Sequence, residues 1–317
     1  MPSCDCLVPR ERLARRAVAD YWRGVGCRVN VSFMRSEQLC WLNGYFVPEN
    51  EARVSAFDRG FIFGDGVYEV TSIADGRLID ADRHLERLDR SLHAIGMTPP
   101  MSHRVWLEVL DETARRANVR DGFVYVEVTR GAADRDFAFP AHVTPTLFAF
   151  ARYRNFREDP RAKGVSLATV PDLRWARRDI KSVSLLAQVL AKQTARERGA
   201  EDALMHHDGV VTEGGSSTVW MVKSGELITR SLSFEVLAGV TRSVVLEIAP
   251  AEDIPVAERT FTVDEACSAD EVLITSATGF VLPVVRIDGS RIGTGVPGPV
   301  ATLLRERYIE RAYSSAR

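Results

Sequence analysis

The chain has 317 residues, of which 45% are hydrophobic and 26% charged, and its formal net charge is −2. That composition is ordinary for a soluble globular protein, with no excess of positive charge for nucleic acid or an acidic membrane surface. No apolar run approaches the roughly 20 residues of a bilayer span, whereas the length allows two domains with a sizeable core.

Residues 1–38 stand apart. PRERLARRAVADYWRGVGCRVN is arginine-rich and has no apolar segment of the kind a secretory signal needs. Glu11 and Asp20 argue against an organellar transit peptide, so the stretch reads as a disordered extension or as sequence upstream of a start at Met34. Four of the five cysteines fall within the first 40 residues, which leaves no disulfide framework for the body and fits a reducing, cytoplasmic setting. Cys4 and Cys6 have no second ligand pair at metal-site spacing, and no metal is expected.

Residues 39–153 predict a small α+β domain. CWLNGYFVP forms a hairpin about Asn43-Gly44, and VYEVTSIADGRLIDA gives two strands joined at Asp75-Gly76. ADRHLERLDRSLHAIGM follows as a helix, with Leu85, Leu88, Leu92 and Ile95 on one face and Gly96 ending it. A second helix over about 103–117 leads to the strands FVYVEVTRG and TPTLFAFARY. Residues 154–164 are polar without a hydrophobic period and read as an interdomain linker. Residues 165–317 predict a larger domain. Its elements are the strand VSLATV, a helix from about Ser184 to Arg198, a hairpin turning at Ser224-Gly225, a helix near Thr241 and the strand EVLITSA. Hairpins grouped with helices, rather than regular βαβ alternation, give an α+β class. There is no GxGxxG, P-loop or HExxH motif.

Lysine usage narrows the chemistry. Only Lys163, Lys181, Lys192 and Lys223 are lysines among 41 basic residues. Arginine stays protonated, whereas a desolvated lysine can lose its proton and form a Schiff base. Lys223 precedes a Ser-Gly turn, Lys163 lies in the polar linker, and Lys192 sits on a helix away from Leu185, Leu186, Val189 and Leu190. All three read as solvated. Lys181 lies between a strand and a helix, where loop residues are presented into a cleft. It is either functional or an ordinary ion-pair lysine. Glu213, before a Gly-Gly-Ser-Ser turn, is similarly a site carboxylate or a strand-end charge. AGVTRSVV offers free N–H groups at a helix start, suited to a phosphate or simply capped by Thr241.

These segments occur together and in order as DRGFIFGDGVYEV, HLERL, RWARRDIKS, VTEGGSSTVW, LAGVTRSVV and ITSATGFVLPV. From about residue 40 to 312 the chain resembles the fold-type IV pyridoxal phosphate enzymes of the branched-chain aminotransferase-like superfamily, and within them the D-amino-acid transaminases. The resemblance implies an N-terminal α/β sandwich, a C-terminal pseudo-barrel α/β domain and a homodimer. It also implies a pyridoxal 5′-phosphate cofactor between the domains. Lys181 matches the lysine that holds the cofactor and shuttles the proton, and Glu213 matches the carboxylate facing the pyridine nitrogen. Arg87, Val240, Thr241, Ser276 and Ala277 match phosphate-binding positions, and Ser216 and Leu237 match residues that position the ring. Ala277 departs from a common threonine but keeps its backbone N–H.

Tyr68 and Arg135 match substrate-carboxylate residues. ADRDFAFP puts Phe137 where the resemblance expects a histidine, which removes one charge-assisted bond worth about 1.5–3 kcal/mol. The expected reaction moves an amino group from D-alanine to 2-oxoglutarate, giving pyruvate and D-glutamate. An (R)-selective amine transaminase, a branched-chain L-amino-acid transaminase and an aminodeoxychorismate lyase share the fold and stand as alternatives. A cofactor-binding protein without turnover is a further class, disfavoured because a binder needs no electron sink.

Overall fold

The computed structural model describes residues 38–314; the N-terminal extension, Met34 and the Cys4 and Cys6 pair lie outside them. The first sheet is antiparallel, and its strands are β1 (Leu39–Leu42), β2 (Tyr45–Pro48), β3 (Gly66–Ala74), β4 (Arg77–Ile79), β5 (Gly122–Thr129) and β6 (Thr146–Tyr153). They run in the order β2-β1-β6-β5-β3-β4. Both expected turns close with positive φ at each central residue, Asn43-Gly44 and Asp75-Gly76, the geometry that twists with the strands it joins. Strict alternation along β5 buries Val124, Val126 and Val128 on one face. Helices α2 (Ala81–Ala94) and α3 (His103–Arg116) cover that face with Leu85, Leu88, Leu92, Trp106 and Leu110; a short α1 (Arg59–Phe63) precedes β3. The opposite face carries half-buried aromatic residues, with Tyr68, Tyr125 and Phe150 stacked in a row at centroid spacings of 5.5 and 5.0 Å.

The second sheet is mixed, in the order β12-β11-β10-β13-β14-β7-β8-β9. Its strands are β7 (Val165–Pro171), β8 (Asp202–His207), β9 (Val210–Gly214), β10 (Thr218–Lys223), β11 (Glu226–Thr229), β12 (Val256–Glu258), β13 (Glu271–Ser276) and β14 (Phe280–Ile287), with β15 (Ser290–Arg291) pairing β14. Trp220, Val222 and Leu273 bury one face under α5 (Val240–Ala251) and α7 (Pro299–Ser314). Val219, Met221, Ile274 and Leu282 fill the other, beside α6 (Val263–Cys267). α4 (Leu186–Glu197) packs on β7 and β8 through Ala191 and Ala195.

The chain is therefore α+β, with two sheets built largely from hairpins. Residues 154–164 are more structured than their composition predicts. Phe156 is buried and stacks on Phe280 at 4.3 Å, and Pro160–Lys163 form a 3-10 turn capped by Asp159. One aromatic residue suffices to pin a polar segment, and a periodicity argument does not register a single anchor.

Candidate active site

Lys181 is positioned by its neighbours. Ile180, just before it, is buried in the core under the first sheet and anchors the loop. The Tyr68 N–H donates to the Lys181 carbonyl at 3.0 Å, and the Val183 N–H to the Gly66 carbonyl at 3.0 Å. The Lys181 loop is thereby stitched to the start of β3. The Lys181 N–H also meets Ser91 Oγ of α2 at 3.3 Å, and its Nζ lies 4.0 Å from the centroid of the Tyr68 ring, a favourable position for a cation.

The lysine opens onto a cavity of about 300 Å³. Glu213, Arg87, Ser216, Leu237, Val240, Thr241, Ser276, Ala277 and Tyr68 all line it. Arg135 does not: it lies on an exposed loop, with the rings of Phe63 and Phe137 beside its guanidinium. Lys192, expected to be solvated, is 42% exposed at its side chain and also lines the cavity edge, paired with Asp202 at 3.3 Å.

Glu213 sits at the end of β9 and is buried. Its Oε1 accepts the Leu237 N–H at 3.0 Å, and its Oε2 accepts Arg174 Nη1 at 2.5 Å. Burial pushes this carboxyl up, and the Arg174 contact works against that push. Arg87 is equally constrained. Its Nε and Nη2 fork onto Glu69 at 2.6 and 2.9 Å, and Nη1 donates to the Ala238 carbonyl at 2.9 Å. His84 Nδ1 approaches the same Glu69 carboxylate at 2.9 Å. Burial would raise the Glu69 carboxyl, but Arg87 and His84 outweigh it and hold the group far below the ordinary carboxylate range.

The remaining donors form a pattern. Three of the five guanidinium N–H groups of Arg87 are used by described residues, which leaves one each on Nη1 and Nη2 for an oxyanion. At the N-terminus of α5 the capping residue is Gly239, which has no side chain to supply an acceptor. The first N–H groups of that helix thus remain for another partner. A Cβ on Gly239 would lie 2.8 Å from Thr218 Oγ1, so a side chain here would require the Thr218 hydroxyl to shift. The buried atoms Arg178 Nε, Gln188 Oε1 and Ser217 Oγ belong to cavity-lining residues and have no hydrogen-bond partner among the described residues. Arg178 Nε already faces Asp172 at 3.5 Å, whereas an occupant that accepts from the Ser217 hydroxyl and donates to Gln188 Oε1 would satisfy the other two.

The model of the family described as aminotransferase class IV matches residues 66–287. The chain belongs to that family. It is 41% identical over 274 residues to a D-alanine aminotransferase of Staphylococcus haemolyticus, covering 85% of this chain and 97% of the relative. A D-alanine aminotransferase of Bacillus licheniformis is 41% identical over 258 residues, covering 81% and 91%. Among solved structures, a T.th. branched-chain amino acid aminotransferase with pyridoxamine 5′-phosphate superposes with a TM-score of 0.80 at 28% identity, covering 88% and 95%.

This class IV aminotransferase contains site residues that the sequence reading passed over. Glu69, His84, Arg174 and Asp172 received no role. A signal for the first two was available: Glu69 shares the phase of Val67 and Ile73 in β3, and His84 and Arg87 share the inner face of α2 with Leu85 and Leu88. An acid in the core-facing phase of a strand needs a cation opposite it.

Proposed function

We propose that the cavity binds pyridoxal 5′-phosphate and that the chain transfers the amino group of a D-amino acid, D-alanine foremost, to a 2-oxo acid such as 2-oxoglutarate. The observation that carries this reading is the convergence of Lys181, Glu213, the Arg87 guanidinium and the uncapped α5 N-terminus on one cavity. The residues fit the group: an oxyanion end, a buried carboxylate and a lysine are what a phosphorylated pyridine aldehyde requires. Once bound, the cofactor supplies an electron sink for the charge left at the substrate Cα.

The chain's own residues then have distinct tasks. Arg87, with the backbone N–H groups of Val240, Thr241 and Ala277 and with Ser276, holds the phosphate. Ser216 and Leu237 flank the ring, and Glu213 holds a proton on its nitrogen. Lys181 Nζ takes the proton from the substrate Cα and returns it on the other side of the reaction. Tyr68, under that amine, orients the substrate carboxylate.

The D-amino-acid reading is favoured over the branched-chain one because the relatives named D-alanine aminotransferase reach 41% identity, against 28% for the branched-chain structure. Purified protein with D-alanine and 2-oxoglutarate is expected to release pyruvate and form D-glutamate. Consumption of L-alanine alone would remove the D-specific claim, and pyruvate release without an acceptor would indicate a lyase.

A homodimer belongs to the same proposal. Phe57, Phe61, Phe137 and Phe139 are each exposed, and large apolar side chains left in water suit a protein interface. A second copy on this face would let Arg135 reach the substrate carboxylate that its own chain's cavity cannot offer it. Light scattering is expected to give twice the 35.2 kDa chain mass; a fully active monomer would contradict it. We also place the enzyme in the cytoplasm, where reduced cysteines persist.

A further inference from the structure

We propose that Arg174 is a positioning residue that keeps Glu213 ionised and fixed toward the cofactor's ring nitrogen, and that Asp172 cancels the arginine's own charge there. The proposal rests on the reading that Glu213 faces that nitrogen.

The geometry is a row of alternating charges. Glu213 takes Nη1 of Arg174, whose Nε and Nη2 fork onto Asp172 at 3.0 and 2.7 Å. Asp172 is itself held by the Thr212 hydroxyl at 2.6 Å and by its own N–H on the His206 carbonyl at 2.8 Å. Beyond it Arg178 stands 3.5 Å from Asp172 and 3.8 Å from Glu235, which pairs with Arg230. Arg174, Asp172 and Arg178 have side chains at most 8% exposed. Arg174 therefore has both faces of its fork engaged and cannot turn away from the carboxylate.

Two requirements conflict at this point. A carboxylate out of water needs a cation to remain ionised, yet a cation beside the ring nitrogen would repel the proton that Glu213 must hold there. Asp172 resolves the conflict. Asp172, Arg174 and Glu213 together carry one net negative charge, with Arg178 beyond Asp172 as counter-ion, and Glu213 lines the cavity together with Arg174 and Arg178. Without Arg174, Asp172 and Glu213 would be two acids in one buried cluster. Arg178 lies against Asp172, so Glu213 is the one that would take up the proton and lose its hold on the nitrogen.

The test uses holoenzyme loaded with cofactor labelled with ¹⁵N in the ring. In the unaltered protein the ¹⁵N resonance is expected at the protonated position at neutral pH. Arg174→Gln is expected to move it to the unprotonated position and to lower kcat by about 10- to 100-fold, the equivalent of one charge-assisted hydrogen bond, with KM changed less than kcat. Arg174→Lys keeps a charge but only one bond, and is expected to fall between. A protonated resonance and unchanged kcat in Arg174→Gln, or in Arg174→Lys should the first variant fail to fold, would overturn the proposal. A nitrogen unprotonated in the unaltered enzyme, or failure to load cofactor at all, would instead overturn the assignment of Glu213 on which it rests.

Discussion

Replacement of Lys181 by alanine is expected to lower kcat for D-alanine by at least about 10²–10⁴-fold, the usual contribution of one positioned acid–base group. Its amine is presented by the Tyr68 and Ser91 contacts at the mouth of the same cavity as Glu213. Lys181→Arg is expected to lose as much despite keeping the charge, because a guanidinium does not release its proton near neutral pH. Added methylamine should restore part of the alanine variant's rate and none of the arginine variant's. Full activity in Lys181→Ala without added amine would take the residue out of the reaction. In a chain that uses arginine almost everywhere, the arginine variant shows whether this position needs a base or merely a cation.

The second large effect is expected on stability. Glu69→Gln leaves the Arg87 guanidinium buried beside a neutral amide, and breaking a buried pair from one side typically costs about 3–5 kcal/mol. Both partners are almost wholly out of water, and the fork between them is bidentate. The pair also predicts an acid response. The folded Glu69 carboxyl titrates far below its ordinary 4.5, so as the pH falls the unfolded chain takes up the proton first. The stabilisation is complete above that ordinary value and erodes as the pH drops below it. His84 acts in the same direction at higher pH, because burial holds its ring below the ordinary 6.5. The unfolded chain then gains a proton that the folded one refuses. Urea midpoints at pH 7, 5.5 and 4 are expected to decline for the unaltered protein, and the midpoint of Glu69→Gln is expected to lie below that of the unaltered protein at pH 7. Equal midpoints for the two proteins at pH 7 would show that the pair contributes nothing net.

Much of the fold was legible because its signals are local. Asn43-Gly44, Asp75-Gly76 and Ser224-Gly225 adopt the positive φ angles that such pairs favour. The face Leu85, Leu88 and Leu92 is buried as its spacing predicts. Helix α5 begins at Val240 with Gly239 as its cap, one residue before the expected start. α7 has no clean apolar stripe to mark it in the sequence, since its inward positions include Arg305 and Tyr308. Phe156 showed the complementary blind spot, a single anchor inside a polar run.

For the candidate site, the sequence by itself determined the reagents. A lone lysine after Ile180, an acid before a glycine turn and a glycine-led helix start are local choices of residue type, and each limits the chemistry its own segment can do. What only the tertiary structure decided is which charges face one another. Glu69 meets Arg87 across 18 residues, and Glu213 meets Arg174 across 39. Neither pairing follows from spacing along the chain, because each depends on strands and loops that are neighbours only once the sheets have formed. The same is true of Arg135, which the sequence marked for the substrate and the fold carries to an exposed loop outside its own cavity. The strength of a charge contact depends on separation and on exclusion from water, and the order of the residues specifies neither until the chain has folded.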